Sequence, residues 1–114
     1  MFHPDVTSHW PHLREAKVIV RRDALRHIAH KHPDGEGFAY VSLLPGLIAG
    51  RPLHVERKRT DTAFVFYALP DDDILALRIV TRMEKQRGAR PDVKTAHVLH
   101  ITRVMRIRHE EDNP

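Results

Sequence analysis

Hydrophobic and polar positions change rhythm about halfway along this chain. Over residues 22–31 the apolar side chains of Leu25, Ile28 and Ala29 fall at helical spacing, with Asp23 in the first turn, which predicts a helix. Pro33 disfavours helical geometry at His32, so this helix is expected to end near Lys31. Residues 38–49 read as a second helical segment, interrupted at Pro45-Gly46, with Leu43, Leu44, Leu47 and Ile48 on its buried side. After Gly50-Arg51-Pro52 the period becomes two. Residues 53–58, 63–69, 74–81 and 93–102 read as strands joined by turn-rich links. Residues 17–20 make a short first strand, and residues 104–107 a last strand or an extension.

Helices followed by a meander of strands predict an α+β fold, with N-terminal helices packed on one face of a four- to five-stranded antiparallel sheet. Residues 1–16 read as an N-terminal arm that Trp10 pins to the body. Residues 17–108 read as a single domain, and residues 109–114 as a flexible tail.

Composition narrows the class. A length of 114 residues suits one domain, and 41% hydrophobic with 30% charged residues excludes a disordered chain. The absence of cysteine excludes a disulfide framework and a thiolate zinc site. The first residues lack the basic and apolar regions of a signal peptide, and no apolar run approaches the roughly 20 residues of a membrane helix. A cytoplasmic location and no membrane partner are therefore expected. The net charge is +4 and the pI about 9.9, which argues for a polyanionic partner.

The candidate chemistry begins with three imidazoles at His27, His30 and His32. Asp23, His27 and Lys31 are spaced by four and share a face away from the Leu25 and Ile28 stripe. His32 stands where the helix ends, and carbonyl ends favour an imidazolium that would serve as a general acid beside a phosphate. It would equally cap the helix, with the other two histidines solvated. Arg78 points away from Leu75, Leu77 and Ile79, between Ala76 and Val80, as either a phosphate clamp or a solvent-facing arginine.

In the last long strand, alternation groups Val93, Thr95, His97, Leu99 and Ile101 against Lys94, Ala96, Val98, His100 and Thr102, and polar residues occur on both faces. Tyr67 would add a hydroxyl. The basic cluster Arg57, Lys58 and Arg59 would hold flanking phosphates or form a solvated turn. His27 and His30, three apart, would share an ion only with His32 or a distant carboxylate completing the set, and zinc-ligand spacings are absent, so neither a metal nor another cofactor is expected.

The order His27-Ile28-x-x-x-His32-Pro33, then Leu44-Pro45 with Leu47-Ile48, then Pro52 opening a strand, resembles the phage-associated barnase–EndoU–colicin–RelE-like nuclease domains. The aromatic strand from Phe64 to Tyr67, the apolar strand carrying Arg78, and Thr95-Ala96-His97 continue the likeness. It spans roughly residues 17–101. The resemblance implies helices against an antiparallel sheet and metal-independent RNA cleavage, in which a 2′-hydroxyl attacks the adjacent phosphorus. On that likeness His27 or His32 is the acid–base residue, Arg78 the phosphate clamp and Thr95 a phosphate hydrogen bonder. His97 replaces an expected aromatic and would be a second proton-transfer group.

Two function classes remain in view. A toxin- or phage-type ribonuclease would act on RNA, with tRNA one candidate, and would need a cognate inhibitor or immunity protein. It would bring His27, His32 and Arg78 into one cleft, with Lys31, Arg57, Lys58 and Tyr67 contacting substrate. The alternative is a non-catalytic basic module that binds nucleic acid or a protein partner. A metal-dependent hydrolase is a third reading.

Overall fold

Strict alternation of Leu75, Leu77 and Ile79 with Ala76, Arg78 and Val80 gives one strand two usable faces, and the fold is built outward from both. The computed structural model describes residues 1–30, 36–59, 61–70, 72–83 and 90–112, with the side chains of residues 29, 30, 36–41 and 59 excepted. The described elements are α1 (Pro4–Thr7), a 3-10 turn (Pro11–Leu13), β1 (Ile19–Val20), α2 (Arg22–His30), α3 (Glu36–Ala49), β2 (His54–Arg59), β3 (Thr62–Ala68), β4 (Leu75–Arg82), β5 (Asp92–His100) and α4 (Ile101–Asp112). The fold is α+β, as the sequence pattern predicts.

The five strands lie in the order β1-β5-β4-β3-β2. The β2–β3, β3–β4 and β4–β5 pairs are antiparallel, whereas β1 runs parallel to β5. The sheet is therefore mixed rather than wholly antiparallel, because the chain reaches β5 from β1 only after α2, α3 and three strands. Its larger apolar face carries Val65, Tyr67, Leu77, Ile79, Val93 and Ala96, and α2 and α3 cover it with Ile28, Leu44 and Ile48.

The N-terminal residues complete that layer. Pro4 starts α1, and His3 Nδ1 accepts a hydrogen bond from the Asp5 amide at 3.0 Å. Phe2, Val6, Trp10 and Leu13 are all buried in the same core. The segment expected as an arm that Trp10 pins to the body is built into the core at four positions. α3 also differs from expectation, since it continues through Pro45 instead of breaking there.

α4 changes the second face. The sequence pattern predicts a last strand or an extension over residues 104–107 and a flexible tail over 109–114; residues 101–112 are instead one helix. Val104 and Ile107 are three apart, on one helical side, and pack with Phe66, Ala76, Leu53 and Leu99 in a smaller cluster across the sheet from the main core. The order of layers is then helices α2 and α3, sheet, α4. Among the described residues no helix is long and apolar enough to cross a membrane.

Candidate functional site

Directly paired residues of an antiparallel sheet share a face, so the register shows what lies beneath α4. One row crosses four strands as His54, Phe66, Arg78 and His97. The next crosses them as Glu56, Phe64, Val80 and Thr95. Such a face, polar at its ends and aromatic in the middle, is unlike the apolar face opposite.

A register shift on β5 makes the second row. Val80 pairs with Thr95 but Thr81 pairs with Val93, which leaves Lys94 as the extra residue of a bulge. Val93 therefore enters the main core while Thr95 turns toward α4. Simple alternation had placed these two on one face; the bulge separates them.

Between the sheet and α4 runs a groove of about 460 Å³, where Glu56, Lys58, Phe64 and Arg78 meet Arg103, Arg106 and Glu110 from the helix. A second depression of about 500 Å³ shares Lys58 and Phe64 and adds Arg82 and Lys94. Phe64 is flanked by cations, with Lys58 Nζ 5.5 Å and Arg78 Cζ 5.1 Å from its ring centroid. Lys58 also pairs with Glu56 at 2.7 Å.

Arg78 is the least comfortable charge on this face. Its Nε is buried and has no hydrogen-bond partner. Burial pushes its pKa down, repulsion from Arg103 adds to this, and attraction from Glu56 opposes it. Thr95 Oγ1 is likewise buried without a partner. An unsatisfied buried donor costs about 1–3 kcal/mol. The two lie on neighbouring strands of one face, and Arg78 shares its groove with two further arginines, Arg103 and Arg106.

The sequence-predicted residues separate into groups. Arg78, Thr95, His97 and Lys58 share the α4 face. Arg57 pairs with Ala63 and so turns toward the other side of β2, where it is exposed. Tyr67 is fully buried in the main core and its hydroxyl donates to the Ile48 carbonyl at 3.4 Å, which withdraws it from substrate contact. His27 is exposed on α2, whose Ile28 packs into the face opposite Arg78, so His27 and Arg78 do not converge. Lys31 and His32, and the side chains of His30 and Arg59, lie outside the described residues.

The sequence pattern singles out none of His54, Glu56, Arg103, Arg106 and Glu111 as site residues, and brings in Phe64 only as the start of the aromatic strand. The alternation His54-Glu56-Lys58 was readable as a polar strand face, but the run of adjacent cations at 57–59 drew the reading instead. The α4 residues were hidden by the strand assigned to that segment.

No family model matches this chain, and neither a curated protein nor a solved structure matches it.

Proposed function

We propose that the face between the sheet and α4 binds RNA and cleaves it without a metal ion. The observation that carries this reading is the buried, unpartnered Nε of Arg78 in a groove shared with Arg103 and Arg106. A phosphodiester supplies the acceptor oxygens that Arg78 and Thr95 lack, and Phe64, flanked by cations, offers a ring on which a base stacks.

Chemistry follows from what lies on either side of Arg78. Glu56 is the proton acceptor for the 2′-hydroxyl, whose oxygen attacks the adjacent phosphorus. His97, paired with Arg78 across β4 and β5, is the proton donor to the departing 5′-oxygen. Arg78 and Arg103 neutralise the charge that gathers on the non-bridging oxygens of the phosphorane, and the Thr95 hydroxyl donates to one of them. The products are a 2′,3′-cyclic phosphate and a free 5′-hydroxyl. His27, on the other side of the sheet, has no part in this scheme.

The test is a short RNA and its copy with 2′-deoxy sugars, each incubated with the protein in EDTA. The reading expects only the RNA to be cut, leaving a cyclic phosphate end. Cleavage of the deoxy strand would contradict 2′-hydroxyl attack. Tight binding of both strands with neither cut would leave the face as a nucleic-acid binding surface.

A further inference from the structure

His54 and Glu56 alternate along β2, so both side chains face α4, and Glu111 in the last turn of that helix meets them. One ligand atom from each of the three residues lies within 4.8 Å of the others. The His54 and Glu56 side chains are each only 10% exposed. His54 Nε2 is sealed from solvent and sits 2.6 Å from Glu111 Oε2, yet this contact lacks hydrogen-bond geometry and leaves Nε2 without a hydrogen-bond partner.

We propose that His54, Glu56 and Glu111 form a binding site for a divalent transition-metal ion of the zinc class, which cross-links α4 to the edge strand. One imidazole nitrogen and two carboxylates suit zinc, whereas magnesium and calcium take oxygen shells. Zinc holds such atoms at about 2.0–2.2 Å. Reaching that geometry requires the His54–Glu111 contact to open slightly, and Glu111, 39% exposed near a helix end, has room to move. Lys58 occupies Glu56 Oε1 at 2.7 Å and leaves the second carboxylate oxygen for the ion. Water completes the shell.

Metal binding can be tested without the RNA reading, because neither Arg78, Thr95 nor His97 is a ligand. The two share Glu56, so an ion held here would take that carboxylate out of proton transfer.

The experiment titrates cobalt(II) into EDTA-treated, desalted protein, follows its visible absorption, and then displaces it with zinc. One equivalent of cobalt should produce the bands of a low-coordinate site, zinc should abolish them, and zinc should raise the melting temperature. Magnesium should do neither. Glu111→Gln and His54→Ala should each weaken zinc binding by at least about tenfold, while His27→Ala leaves it unchanged. Should His54→Ala fail to fold, the exposed Glu111→Gln decides. The chain has ten histidines, so binding of equal strength in the wild type and Glu111→Gln would mean scattered surface sites and would overturn the proposal. Absence of one-equivalent binding would do the same, whatever the outcome with RNA.

Discussion

At the scale of single residues, the proposed RNA contacts fall on buried polar groups that the fold leaves unsatisfied. Thr95 Oγ1 is buried and unpartnered, so Thr95→Val should keep or raise the unfolding free energy, by about 1 kcal/mol, while weakening RNA binding. Denaturant unfolding and a binding titration on the same preparation read both; a marked loss of stability would show that the hydroxyl serves the fold instead. Tyr67 behaves oppositely, as a core residue. Burial lifts its phenol well above the ordinary value of 10.0, so the folded state keeps a proton that the unfolded chain releases above about pH 10. Its contribution is complete below that pH and is lost as pH rises further. Tyr67→Phe should therefore lose stability less steeply than the wild type above pH 10 in alkaline unfolding curves. Equal slopes would contradict the assignment. Arg78 was legible because three aliphatic residues at period two fixed which face it left. Thr95 needed the bulge at Lys94, which no local pattern announces.

At the scale of elements, α4 is what the sequence concealed. β5 passes into it at His100–Ile101 with neither glycine nor proline to mark the change. Its apolar contacts, Val104 and Ile107, are too few to set a helical period by themselves, and the partners that justify them lie far back at Leu53, Phe66 and Ala76. Pro45 misled in the other direction: a proline favours a break, but α3 keeps Leu44 and Ile48 in the core on either side of it. Val104 anchors α4, so Val104→Ala should cost about 1–3 kcal/mol. It should also speed amide exchange in α4 before it does so in α2. Uniform acceleration would mean that α4 does not open separately from the main core.

At the scale of the whole molecule, the α+β class was readable from the order of periods, but the sidedness of the site was not. Which face the N-terminal helices cover depends on packing among Phe2, Trp10, Ile28 and Ile48, which are distant in sequence. That packing sends His27 to one side of the sheet and Arg78 to the other. It leaves Lys58, Arg82, Lys94, Arg103 and Arg106 around Phe64 on the second side. RNA binding should weaken linearly on a log–log plot against salt, and Arg106→Ala should reduce the slope by about 0.7 if that arginine meets a phosphate.

The central claim is that chemistry on RNA takes place on the α4 face and not at His27 of α2. The most direct measurement is RNA cleavage in EDTA by the wild type, Arg78→Ala, His97→Ala and His27→Ala, each checked for folding. The account predicts that the wild type and the His27 variant cleave alike, while the Arg78 and His97 variants lose at least about a hundredfold in rate. Activity that survives in Arg78→Ala and disappears in His27→Ala would contradict it.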